Sequence, residues 1–300
     1  MNTTVLTAEP SSRPIVLRRI ADYVELTKPR IAMMALATLA VGSFAATVGL
    51  FDRTLLVHTL IGTGLLAAGA SVFNQIFERD TDALMRRTQN RPLPAGRLGV
   101  TEAVVFGLLL SVAGLNYLLL FVNPLTALIG AATLVLYACV YTPVKRWTSL
   151  NTVVGAIPGA LPPLMGWTAV RGSLDAEAWI LFLIVFLWQF PHFLAIAWIY
   201  REDYARAGLK MLPVVDLKGR VTGRQMVAYS LALLPASLAP TVIGLTGPAY
   251  FFGALLLGVA FLAFAVAFAI LATQTRARNL MRASLVYLPT LLTLMMLDLL

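Results

Sequence analysis

The 300-residue chain is 59% hydrophobic and only 12% charged, with a formal net charge of +9. Its mean hydropathy is +0.82, and soluble domains carry about 25% charged residues, so a soluble globular class is excluded. The apolar runs are long and lack strict alternation, which excludes a transmembrane barrel and leaves an all-α polytopic membrane protein.

Residues 1–20 form a tail with Glu9, Ser11, Ser12, Arg13, Arg18 and Arg19. They read as a short cytoplasmic extension, not a cleaved leader. A single helical domain is expected over 21–300. A membrane span needs about 20 apolar residues. Nine such stretches follow: 29–50, 54–77, 100–121, 124–141, 152–170, 178–200, 225–246, 249–273 and 280–299. Pro29 and Asn123-Pro124 mark two starts. The fifth carries Pro158, Pro162 and Pro163 among Gly155, Gly159 and Gly166, the pattern of a kinked helix with a small-residue packing face. With nine spans, 21 of the 23 Lys and Arg fall on one side, leaving only Arg53 and Arg171 opposite. The positive-inside rule then puts the N-terminus in the cytoplasm and accounts for the net charge, so nucleic acid is not an expected partner. The lone Cys139 allows neither an internal disulfide nor a multi-cysteine metal site.

The densest polar run is Asn74 to Arg97, NQIFERDTDALMRRTQNRPLPAGR. Asn74, Glu78 and Asp82 stand at i, i+4 and i+8, and each step turns only about 40° around a helix, so they form one acidic stripe. Asp80 falls on the other side unless the helix has ended. A second acidic group, Glu202 and Asp203, closes span six on the same membrane side. If the two ends meet, Asn74, Glu78, Asp82 and Asp203 can surround Mg²⁺, which prefers oxygen ligands and borrows substrate phosphates. Arg91, Lys145, Arg146 and Lys210 are then candidates for a diphosphate, although Lys145 and Arg146 also fit a purely topological role. His58 reads as structural. His192 follows Pro191, 11 residues before Asp203, or about 16 Å along a helix. It either addresses a substrate inside the bundle or bonds a neighbouring helix.

The pattern Asn74…Glu78…Asp82 resembles the first acidic motif of the intramembrane prenyltransferase superfamily, N-x-x-x-[DE]-x-x-x-D. Three stretches are similar to its haem-farnesylating branch: Arg87-Thr88-x-x-Arg91-Pro92-Leu93, Trp188-Gln189-x-Pro191-His192, and Asp203-Tyr204-x-x-Ala207-Gly208 leading to Met211-Leu212-Pro213. The likeness runs from about residue 20 through nearly the whole chain. It implies a nine-helix bundle around a cavity open toward the cytoplasm. The implied activity is Mg²⁺-dependent transfer of farnesyl from farnesyl diphosphate to the 2-vinyl group of haem b, with addition of water. Haem is substrate, met by His192, Trp188 and Tyr200; Phe73, Phe77, Tyr141, Trp188 and Tyr200 are the implied aromatic walls for an allylic cation, and membrane lipid surrounds the bundle. The bacterial inner membrane is the implied location, and a haem A synthase or terminal-oxidase assembly factor an implied partner. Tyr200 and Tyr204 stand where many superfamily members have the outer aspartates of a second D-x-x-x-D, so a symmetric two-metal cage is not expected. A quinone-precursor or chlorophyll-type acceptor remains the alternative within the superfamily, and a transporter or haem carrier the alternative outside it.

Overall fold

The computed structural model describes residues 14–299, so the sequence features at Glu9, Ser11, Ser12 and Arg13 lie outside the described residues. The described chain is helical. In order the elements are α1 (Ile15–Leu26), α2 (Pro29–Ala46), α3 (Arg53–Ala83), α4 (Val100–Phe121) and α5 (Pro124–Val135). A π-helical turn over Leu136–Tyr141 leads into α6 (Thr142–Val144). Then come α7 (Asn151–Arg171), α8 (Ala176–Ile199), α9 (Arg201–Arg206), α10 (Leu212–Val215), α11 (Arg220–Val242), α12 (Pro248–Ile270) and α13 (Gln274–Leu297). Among the described residues nine helices are long and apolar enough to span a bilayer: α2, α3, α4, α5 through α6, α7, α8, α11, α12 and α13.

The nine expected spans are all present, with shifted ends. The helix α3 runs on to Ala83, six residues past the expected limit, and thereby keeps Glu78 and Asp82 on a helix. Asp80 points away, pairs with Arg79 and is exposed. The helix α11 begins at Arg220 rather than 225 and α13 at Gln274 rather than 280. Their first turns are polar, and hydropathy marks where a helix enters lipid, not where it starts.

Small residues set the helix spacing. A Cβ on Gly166 of α7 would lie 2.0 Å from the carbonyl oxygen of Leu39 in α2, and one on Gly42 of α2 would lie 2.2 Å from that of Pro163. Backbone therefore meets backbone, as membrane helices do when lipid gives no hydrophobic drive to pack them. The Ser43 hydroxyl adds a hydrogen bond to the Gly166 carbonyl at 3.1 Å. The helix α7 passes unbroken through Pro158, Pro162 and Pro163 and is the most buried span. Gly69 and Gly114 give α3 and α4 a similar approach.

The helix α1 does not span. It exposes Val16, Leu17, Ile20 and Val24, and is tied to the bundle by Arg97, which donates to Asp22 at 2.7 Å and Glu25 at 2.9 Å. Leu26 packs with Val72, Leu93 and Leu98 in a small satellite core. Through these contacts α1 helps to fix the loop that follows α3.

Candidate functional site

The site grows from the last three turns of α3. Asn74, Glu78 and Asp82 all point inward and are buried, with Asn74 and Asp82 each only 1% exposed. The loop after Ala83 folds back over them. The Thr88 hydroxyl donates to the Asp82 carbonyl at 2.9 Å, and Met85 and Leu93 are buried. That return brings the Arg91 guanidinium to Asp82, with Nη1 2.6 Å from Oδ2.

The other side chains arrive from distant segments. Lys145, just past α6, places Nζ 2.5 Å from Glu78 Oε1 and 4.2 Å from the centre of the Tyr141 ring. Burial alone would lower the Lys145 pKa, but the Glu78 carboxylate and the Tyr141 and Tyr137 groups overcome it and hold the ammonium well above the usual range. Arg146 donates to the Phe77 carbonyl at 3.3 Å. Asn74 donates from Nδ2 to the Thr142 hydroxyl at 3.0 Å, and that hydroxyl donates to the Tyr137 carbonyl five residues back. The π-helical turn thus anchors Thr142, the acceptor for Asn74, through the Tyr137 carbonyl and leads the chain on to Lys145.

One group was missed by the sequence reading, which counted Lys28 only toward topology. Lys28 sits at φ 49°, in the left-handed region, immediately before the first residue of α2. A bulky residue rarely stays there without local compensation. Its Nζ reaches Asn74 Oδ1 at 2.5 Å. Burial, reinforced by Arg91 and Lys145 and opposed by Glu78, lowers its pKa to about 7. A lysine ahead of a helix-starting proline was the available signal.

The two long loops meet. The Arg87 guanidinium lies 4.6 Å from the ring centre of Tyr200 and 5.5 Å from that of Tyr204, and donates to the Tyr204 hydroxyl at 3.2 Å. Met85 packs with Ala207 and Leu209. Lys210 donates its backbone N–H to the Lys145 carbonyl at 3.0 Å, while its side chain is exposed. Asp203 is held by Arg206 at 3.0 Å on its own short helix. Among the described residues no three His, Cys, Asp or Glu side chains come close enough to hold a metal by themselves. The remaining candidates are scattered. Phe77 is exposed, Trp188 is buried and donates Nε1–H to the Ser284 carbonyl at 2.9 Å, and His58 bonds Tyr117 and stacks on Phe121.

The donor set fits Mg²⁺. Asp82 Oδ1 is buried and unpartnered, and a buried carboxylate oxygen left bare is costly unless a cation completes it. Arg91 and Lys145 now occupy the opposite charges of Asp82 and Glu78. Mg²⁺ is usually bound by one or two carboxylates with substrate phosphates making up the rest. Further along α3, toward its start, a cavity of about 120 Å³ opens between α2, α3, α5 and α7. Ala67, Ala70, Gly130, Tyr137 and Met165 are among its mostly apolar lining.

Fold and site together define an integral-membrane helical protein that gathers acidic and basic groups over an apolar cavity, a class suited to a ligand with an anionic head and a hydrocarbon tail. The chain belongs to the UbiA prenyltransferase family, whose model matches residues 35–288. It is 50% identical over 286 residues to a protoheme IX farnesyltransferase of Solibacter usitatus, covering 92% of this chain and 98% of that one. It is 44% identical over 296 residues to a protoheme IX farnesyltransferase of Koribacter versatilis, covering 95% and 96%. Among solved structures, a digeranylgeranylglyceryl phosphate synthase superimposes with a TM-score of 0.79 at 17% identity, covering 94% of this chain and 98% of that one. A UbiA homologue from Archaeoglobus fulgidus bound to GPP and Mg²⁺ gives 0.67 at 15% identity, covering 91% and 99%. At these identities the solved structures establish the fold alone.

Proposed function

We propose that the chain transfers the farnesyl group of farnesyl diphosphate to the 2-vinyl group of haem b, releasing diphosphate. The observation that carries this reading is the buried Asn74–Glu78–Asp82 stripe, with Asp82 Oδ1 bare and cations already seated on its neighbours. The names of the similar proteins support the choice of donor and acceptor.

Asp82 and Glu78 would hold Mg²⁺ with Asn74, and Asp203 would join on exchanging Arg206. The bound ion supplies positive charge that stabilises the departing diphosphate. Arg91, Lys145, Lys28, Arg146 and Lys210 would pair with the remaining phosphate oxygens once Arg91 and Lys145 leave the carboxylates. Preorganised charge of this kind is worth about 3–4 kcal/mol per donor in well-studied sites. The allylic C–O bond breaks with its electron pair leaving on the diphosphate. Tyr137, in the cavity lining, and Tyr141, with its ring centre 5.7 Å from that of Tyr137, would face the resulting cation. The haem vinyl carbon forms the new C–C bond, and water adds at the adjacent carbon with loss of a proton.

The cavity suits the tail. It runs along α3 from Ser71 to Thr63, and the 11 residues from Asn74 to Thr63 span about 16 Å. Three extended isoprene units measure about 15 Å at carbon–carbon bond lengths near 1.5 Å. The one-sided distribution of Lys and Arg supports a cytoplasmic mouth and N-terminus, in a bacterial inner membrane.

The test is a reaction of the purified, nanodisc-embedded chain with haem b, farnesyl diphosphate and Mg²⁺, read by the mass of the pigment. The product should gain one farnesyl and one water, and Asp82→Ala should lower turnover at least about 100-fold. Prenylation of 4-hydroxybenzoate with haem left unchanged would replace this reading with the quinone-precursor one.

A further inference from the structure

The short helix α1 carries its amphipathic pattern the wrong way round for a helix in water. At about 100° per residue, Val16, Leu17, Ile20 and Val24 share one face, and each is more than half exposed. Charged side chains turn the other way, toward the protein. Asp22 is buried and, with Glu25, accepts from Arg97, while Arg19 and Tyr23 both donate to Glu102. A surface helix bathed in water lays its apolar stripe on the core and its polar residues outward. Here the order is reversed.

The level of α1 in the molecule says what its outer face meets. Glu102 stands in the first turn of α4, so the Arg19 end of α1 lies at the margin of that span. At the other end, Leu26 precedes Pro29, the first residue of α2, by three positions. Both ends are thus held where spans enter the bilayer, and α1 runs along the membrane surface. Its apolar face is continuous on both flanks with surfaces that spanning helices turn to lipid. Ile31 and Met33 of α2 are exposed. A groove of about 410 Å³, lined by Tyr23, Val105, Phe106 and Leu109, joins α1 to the outer face of α4, where Val105 and Leu109 are exposed. Contiguous apolar patches mark protein or membrane contacts, and continuity with two lipid-facing spans selects the membrane.

We propose that α1 is an interfacial anchor, embedded through Val16, Leu17, Ile20 and Val24 in the lipid leaflet on the side of the acidic mouth, and that this embedding holds Lys28 and Arg91 in place. Bonds run from the anchor to the site. Gln75, next to Asn74, donates from Nε2 to the carbonyls of Glu25 at 3.3 Å and Leu26 at 2.9 Å, at the end of α1. Two residues on, Lys28 reaches Asn74. Arg97 links Asp22 and Glu25 to the Asn90 carbonyl, at 2.6 Å, beside Arg91. The anchor is independent of the proposed reaction; its effect on the site rests on the reading of Lys28 and Arg91 as diphosphate ligands.

The experiment places nitroxide labels on the full chain in nanodiscs, one at a time, through Leu17→Cys, Ile20→Cys, Val24→Cys and Arg18→Cys. A Cys139→Ser background removes the free exposed thiol. Collision with oxygen, which partitions into lipid, is compared with collision with a water-soluble nickel chelate. The first three labels should favour oxygen and lie about 5–10 Å into the headgroup–acyl boundary, and the fourth should favour nickel. Equal nickel access at all four positions overturns the anchor. So does shielding of the first three from both reagents, which would mark a protein partner or a second copy. Calorimetry with Mg²⁺ and inorganic diphosphate tests the coupling. Val24→Glu should bind diphosphate about tenfold more weakly than wild type, the equivalent of one apolar side chain withdrawn from lipid, and Val24→Leu should match wild type. Unchanged affinity in Val24→Glu overturns the coupling. A chain with its labels in lipid that binds no diphosphate would refute the functional reading and leave the anchor standing.

Discussion

The Arg91 guanidinium sits on the carboxylate charge that a divalent ion would use. Replacing it with glutamine, Arg91→Gln, should therefore have opposite effects on two ligands. Asp82 is 1% exposed and Arg91 24% exposed, with 2.6 Å between Nη1 and Oδ2. Fully exposed pairs are worth about 0.2–1 kcal/mol, and breaking a fully buried pair costs about 3–5 kcal/mol. Partial exposure of the arginine places this pair between them, at about 1–2 kcal/mol. That is the energy a metal ion must now overcome to displace Arg91, and at about 1.4 kcal/mol per tenfold it corresponds to roughly 5–30-fold in affinity. Mn²⁺ titration followed by paramagnetic resonance, without substrate, should show Arg91→Gln binding more tightly than wild type by that factor. The same variant should bind diphosphate more weakly and turn over about 100-fold more slowly, because a donor to the leaving group is gone. Weaker or unchanged Mn²⁺ binding in Arg91→Gln would show that Asp82 and the metal do not share a place.

The pKa of Lys28 gives a pH signature. It is lowered to about 7, chiefly by burial, from the ordinary lysine value of 10.5; the unfolded chain therefore holds this proton more readily. Lys28 opposes folding below pH 7, and stability should rise between pH 7 and about 10.5 as that penalty is lifted. For an anionic ligand the sign reverses: diphosphate favours the charged amine, so affinity should fall up to about tenfold per unit above pH 7. Lys28→Arg should flatten the part of the profile due to this residue in a binding titration, and a slope identical to wild type would remove Lys28 from the site. Gly166→Ala forces a Cβ to 2.0 Å from the Leu39 carbonyl and should cost about 1–3 kcal/mol or more. Gly64→Ala, where the nearest atom is Leu36 Cδ1 at 3.8 Å, should change little. A temperature series by size-exclusion chromatography in detergent separates the two, and equal melting would refute the close-packing argument.

The span number and the acidic stripe were legible because both are local. Twenty apolar residues in a row, or three polar ones at four-residue spacing, announce themselves without knowledge of what lies opposite. What the stripe touches was not legible. Lys28, Arg91 and Lys145 reach Asn74, Asp82 and Glu78 across 46, 9 and 67 positions, and nothing in a hydropathy profile distinguishes such cations from topological ones. Aromatic residues near the stripe were equally ambiguous. Phe77 shares its helix yet is exposed, while Tyr141 lies under Lys145 because of a backbone irregularity that no composition rule marks. His192 was left between two readings, a substrate contact or a bond to a neighbouring helix, and its ring bonds Ser284 of α13 at 2.6 Å, a partner 92 positions away that no local pattern could name.

That backbone irregularity also makes the site sensitive to length as well as to composition. A π-helical turn holds one residue more than the α-helix it interrupts, so every side chain beyond Leu136–Tyr141 is phased by that surplus. Excising a single residue there would let the segment relax into ordinary winding and swing the following positions by about 100°. Lys145 would be carried off Glu78 with no charge altered anywhere in the chain. Substitutions can only weaken this half of the mouth in steps, whereas one deletion would disengage it at a stroke.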